Sequence, residues 1–133
     1  MIGGMYLSAK GYIQVRAYTS YAQIPLQYVA ITVTDAGGSA IAMRLTNRSG
    51  TLDTPIAIDV PSLSASQSPN TGVIPFTAVN LIAHLEDYEQ IRIERLQVFP
   101  NTVTTQNLEM IPLSELPSQW SKEEIFDTPA QNL

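Results

Sequence analysis

At 133 residues the chain has room for one domain. It has no cysteine, which excludes a disulfide scaffold and a thiolate zinc module. A net charge of −5 lacks the basic surplus of a nucleic-acid binder. Charged residues are scarce, at 14%, where an average soluble domain carries about 25%. Their place is taken by 11 Ser, 12 Thr, 9 Pro and 7 Gly, beside an ordinary hydrophobic share of 44%. That balance predicts a compact, β-rich domain. No stretch approaches the roughly 20 apolar residues of a membrane span. The opening residues lack the basic and long apolar regions of a secretory signal.

Tyr12 to Tyr18 alternates, with Ile13, Val15 and Ala17 on one face and Tyr12, Gln14, Arg16 and Tyr18 on the other. Period two predicts a half-buried strand. Pro25 breaks the ladder because it has no N–H. Val29, Ile31 and Val33 predict a second strand, and Ile41, Met43 and Leu45 a third, joined across the Asp35-Ala-Gly-Gly-Ser39 turn. Thr46 to Gly50 is another turn, and Ile56, Ile58 and Val60 predict a fourth strand. Residues 62–75, rich in Ser, Pro, Asn and Gly, read as a long exposed loop. Val79 to Leu85 predicts a fifth strand, and the Glu86–Glu89 turn leads to a sixth at Ile91 and Ile93. Its apolar parity flips at Leu96 and Val98, so a β-bulge or break is expected at Glu94–Arg95. Leu108 and Met110 mark a seventh strand. After Pro112 the apolar residues Leu113, Leu116, Trp120, Ile125 and Phe126 follow no strand rhythm. Ser121-Lys-Glu-Glu124 matches a capping box, which favours at most one helical turn.

Three stretches carry a family resemblance. They are Gly11-Tyr-Ile-Gln-Val-Arg-Ala-Tyr-Thr with Ile24-Pro-Leu and Val29-Ala-Ile-Thr-Val-Thr, then Thr46-Asn-Arg-Ser-Gly50, then Tyr88 with Val98-Phe-Pro and Gln106-Asn-Leu-Glu-Met-Ile-Pro-Leu113. Their order and spacing resemble the carboxypeptidase-regulatory-like, or transthyretin-like (prealbumin-like), β-sandwich. Asn47 and Arg48 stand where that family has an acidic turn residue, and Asp87 stands where it has Gly before Tyr88. The third stretch and the tail are similar to accessory domains of clostridial spore cortex-lytic and peptidoglycan-binding proteins. The resemblance implies a role beside cell-wall chemistry and supplies no catalytic residue. It argues against a hydroxyisourate hydrolase, which is histidine-rich and ends in Tyr-Arg-Gly-Ser, whereas this chain has one histidine and ends in Gln131-Asn-Leu133.

The ionisable groups offer little chemistry. His84, with Glu86 one pleat away, is the one candidate base for a small hydrolase, but no nucleophile motif accompanies it. His84, Glu86, Asp87 and Glu89 cluster in sequence, yet acidic turns are usually solvated, so no metal and no cofactor are expected. Lys10 and Asn107 lie on the first and last strands, a pairing that isopeptide-forming surface domains use with a buried acid such as Glu86 or Glu94. Lys10, next to Gly11 at the strand edge, reads instead as exposed.

The expected fold is therefore an all-β, seven-stranded Greek-key β-sandwich of transthyretin-like type. It spans residues 1–113, with an irregular C-terminal tail, 114–133, packing on the domain or on a partner. The expected function is a non-catalytic binding or accessory module for protein or cell-wall glycan, associated with the spore or cell envelope. Exposed tyrosines offer flat amphipathic contact area, so the candidate surfaces are Tyr12, Arg16 and Tyr18 on the first strand, and Trp120 and Phe126 in the tail. The alternatives are a pro-region-like regulator or inhibitor of a peptidoglycan hydrolase, and a hydrolase using His84. Edge strands invite pairing, so a homodimer through sheet edges is a further expectation.

Overall fold

A computed structural model describes residues 8–20, 22–61, 75–115 and 123–127, the last segment by its backbone. The described residues form nine strands: β1 (Ser8–Thr19), β2 (Ile24–Pro25), β3 (Ala30–Thr34), β4 (Ala40–Leu45), β5 (Ile56–Pro61), β6 (Thr77–His84), β7 (Gln90–Val98), β8 (Val103–Glu109) and β9 (Glu123–Asp127), with a 3-10 turn at Leu113–Glu115. One sheet has β1 at its centre, with β5 and β2 on antiparallel ladders and β8 parallel to it. The other runs β4-β3-β6-β7-β9, antiparallel except for the β7–β9 pair. The connections β2–β3, β4–β5, β5–β6, β7–β8 and β8–β9 pass from one sheet to the other, which makes the molecule a β-sandwich.

The predicted alternation sets the core. Ile13, Val15 and Ala17 face Val29, Ile31 and Val33 across the layers, with Ile56, Ile58, Val60, Val79, Leu81, Ala83, Ile91, Ile93, Leu96 and Val98. The parity flip in β7 is a bulge: Val79 pairs with Leu96 and Leu81 with Ile93, so Glu94 and Arg95 share Asn80. Arg95 takes φ 60°, and its N–H donates to Asn80 Oδ1 at 3.1 Å.

Three features depart from the sequence reading. First, Ile41, Met43 and Leu45 do not enter the core; they are 43%, 57% and 54% exposed. Val33 pairs with Ala42, so Ala42 takes the inward position, and the register shift at Val33/Thr34 leaves Ile41 as the extra residue. Second, β2 gives Pro25 a place in the sheet, at an edge where its missing N–H costs nothing. Third, part of the tail is a strand rather than a helical turn or irregular chain: Glu123–Asp127 lies parallel to β7, with Ile125 in register with Arg92. The open edge of β7 offers a hydrogen-bond ladder, which outweighs a local capping-box preference. The expected loop at 62–75 lies, except for Pro75, outside the described residues.

Thr46, 2% exposed, joins β4 to the chain entering β3. Its hydroxyl donates to the Leu26 carbonyl at 2.7 Å and accepts from the Val29 N–H at 2.9 Å. Thr46→Val keeps the shape but strands both groups. It is expected to cost about 2 kcal/mol in urea unfolding, with Thr46→Ser recovering most of the loss.

Candidate functional site

β1 is the spine of the smaller sheet, and its even-numbered residues point away from the core. Tyr12 lies between Ala57 of β5 and Val103 of β8; Gln14 lies beside Thr105, Arg16 beside Asn107, and Tyr18 beside Glu109 and Pro25. The expected trio Tyr12, Arg16 and Tyr18 therefore shares one face, and each member is half-buried. From Tyr12 to Tyr18 the row extends about 20 Å at the rise of a strand.

Arg16 is fixed from two sides. Its Nη2 donates to Gln23 Oε1 at 2.6 Å, and its guanidinium carbon lies 5.0 Å from the Tyr18 ring centroid. Such a cation–π contact stabilises by about 0.5–1 kcal/mol at an exposed site. Gln14, in the middle of the row, is committed to the neighbouring backbone: Oε1 accepts from Leu52 N–H at 2.7 Å and Nε2 donates to Leu52 O at 3.0 Å. It fastens the 50–55 segment to β1, where no strand pairs residues 14–17 on that side. Lys10 and Asp59 form an exposed ion pair at the far end, a contact of small value.

The other candidates are dispersed. Trp120 lies outside the described residues; Phe126 is in register with Ile93 in β9, across the other sheet from the Tyr12 face. His84 and Glu86 are exposed, while Glu89 turns inward at 2% exposure with its Oε1 lacking a hydrogen-bond partner. The four residues of that turn do not converge, and no group of ligating side chains able to hold a metal occurs among the described residues. Lys10 and Asn107 do not meet: Lys10 pairs with Asp59, whereas Asn107 is in register with Arg16, about 20 Å along β1.

A cleft of about 210 Å³ opens between β7 and β8, lined by Ile91, Ile93, Gln106, Leu108 and Ile111 and touching Tyr18. Small-molecule sites commonly enclose roughly 300–1,000 Å³ around convergent polar groups. This cleft is smaller, and Asn107 and Glu109 join Gln106 as its polar lining beside the apolar walls. Sequence reasoning missed Gln23, Thr105 and Asn107 as members of the β1 face, since their placement depends on long-range pairing. It also missed the exposed apolar side of β4, for which the run Ala40–Leu45 holds no signal, being apolar at both parities save Arg44.

No known family model matches the chain, and no curated protein matches it.

Proposed function

We propose that the chain is a transthyretin-like, non-catalytic binding module whose Tyr12–Arg16–Tyr18 face docks a cell-wall glycan strand. The carrying observation is the pre-set Arg16, held between Gln23 and the Tyr18 ring before any ligand arrives. Pre-organised donors lose little entropy on binding. Around it stand Thr105, Asn107 and Glu109, whose hydroxyl, amide and carboxylate suit sugar hydroxyls better than the apolar anchors of a protein interface. A flat row about 20 Å long fits an extended polymer. Tyrosines combine ring contact with a polar tip, as a pyranose with an apolar C–H face requires.

Two local structures support the family reading. Asn47 Oδ1 accepts from the N–H groups of Ser49 at 2.8 Å and Thr51 at 3.2 Å, the task an acidic turn residue would perform. Asp87 takes φ 73°, the left-handed conformation that explains a glycine at that position of the family pattern. The resemblance implies an accessory role beside spore or envelope peptidoglycan hydrolases.

Cosedimentation with insoluble peptidoglycan tests the proposal. The Arg16→Ala/Tyr18→Ala variant is expected to bind at least about tenfold more weakly, a loss of about 1.4 kcal/mol, with an unchanged circular dichroism spectrum. His84→Ala is expected to bind like the parent. Undiminished binding by the double variant would refute the assignment.

A further inference from the structure

Among the described residues the two sheets present four open edges, and three of them are guarded. β5 presents Asp59 and ends in Pro61, β8 presents Glu109, and β9 has the sequence Glu-Glu-Ile-Phe-Asp. Charges and prolines of this kind keep edges from pairing. β4 has no proline, and its one charge, Arg44, folds back on the Met43 carbonyl of its own strand; its other exposed large residues are the apolar Ile41, Met43 and Leu45.

The ladder phase shows what this edge offers. Thr46 N–H donates to the Val29 carbonyl at 3.1 Å. Alternation along the antiparallel pair then turns the backbone groups of Arg44 and Ala42 toward β3, and those of Leu45 and Met43 toward the open edge. The Met43 carbonyl there accepts from Arg44 Nη1 of its own strand at 3.0 Å. The other outward amide and carbonyl groups of this row are of the kind that another strand completes.

We propose that β4 pairs antiparallel with β4 of a second copy about a two-fold axis at Met43, joining two five-stranded sheets into one. Same-face pairing restricts the symmetric registers. Centring on Arg44 sets two guanidinium groups in opposition, which is repulsive. Centring on Ala42 leaves Leu45 opposite Ser39, outside the strand. Centring on Met43 pairs Leu45 with Ile41 of the partner and Arg44 with Ala42, so that apolar residues meet and like charges do not. The axis stands normal to the joined sheet, so both Tyr12–Tyr18 faces point to the same side. A two-headed module would bind a polymer with avidity; this consequence rests on the glycan reading, whereas the dimer itself does not.

Sedimentation of the full chain tests the proposal without any ligand. The expected mass is twice the 14.6 kDa of one chain. Met43→Lys, which opposes two lysines, and Leu45→Glu, a second exposed substitution, are each expected to weaken association at least about tenfold with an unchanged far-UV circular dichroism spectrum. Because the chain has no cysteine, Met43→Cys reports pairing through a short bis-maleimide. It is expected to cross-link, and Thr105→Cys on the β8 edge is not. A monomeric parent, a dimer unaffected by both substitutions, or cross-linking at Thr105→Cys instead overturns the proposal.

Discussion

Gly50→Ala is expected to lower the thermal unfolding midpoint by about 12–15 °C, from a loss of about 4 kcal/mol. Gly50 takes φ 77°, which costs an alanine roughly 1–3 kcal/mol. A Cβ there would also overlap the Ala17 carbonyl oxygen, which is backbone and cannot step aside. That carbonyl accepts from Leu26 N–H at 3.0 Å, and Ala17 N–H donates to the Gly50 carbonyl at 2.8 Å. Both bonds satisfy the side of β1 between β5 and β2, where no strand pairs. Ala17 stands between Arg16 and Tyr18, so the proposed glycan binding is expected to fall along with stability. Differential scanning calorimetry on parent and variant measures the shift; a change under about 4 °C would show that the turn is not under the constraint described.

Gly11→Val is expected to leave little folded protein. Gly11 points inward on β1, but its side-chain space is taken by the β7–β8 connection: an added Cβ would overlap the Phe99 carbonyl oxygen and lie 2.5 Å from Val98 Cγ1. Ordinary overpacking costs about 1–3 kcal/mol. Here the obstacle is backbone, so a cost of about 5 kcal/mol is expected, comparable to the whole stability of a marginal domain. The same contact organises the candidate site. Asn101 N–H donates to Lys10 O at 2.8 Å and Tyr12 N–H to Thr102 O at 2.9 Å. These bonds start β8 in the register that sets Thr105 beside Gln14 and Asn107 beside Arg16. Gly11→Ala, with a smaller side chain, is expected to remain partly folded and to show a reduced urea midpoint. A Gly11→Val protein as soluble and stable as the parent would contradict this packing.

How far the sequence discloses these features depends on whether the signal is local. The strands around Ile13, Val29, Ile58 and Leu81 each alternate over at least two periods, and a buried face tolerates no slip. Even the Glu94–Arg95 bulge is legible, because an extra residue must reverse the parity that follows it. β4 is not legible: Ala40, Ile41 and Ala42 are apolar at both parities, and only the register against Val33 and the bulge decide which enters the core. β9 is hidden for another reason, since Ser121–Glu124 carries a local helix-start pattern while the strand draws on the open edge of β7. In the candidate site the shared face of Tyr12, Arg16 and Tyr18 follows from period two. Their neighbours Thr105 and Asn107 come from a parallel strand some ninety positions away in the chain, which no local pattern encodes. Glu89, buried with an unpartnered oxygen, looks in sequence like one more solvated turn acid.

The binding account is tested most directly by amide chemical-shift mapping of the full chain titrated with soluble, uncross-linked peptidoglycan fragments. Perturbations are expected along Tyr12, Arg16 and Tyr18 and at their neighbours Gln23, Thr105 and Asn107, with the fragments recovered uncleaved. Perturbations confined to the neighbourhood of His84, cleavage of the fragments, or an unchanged spectrum at saturating concentrations would contradict it.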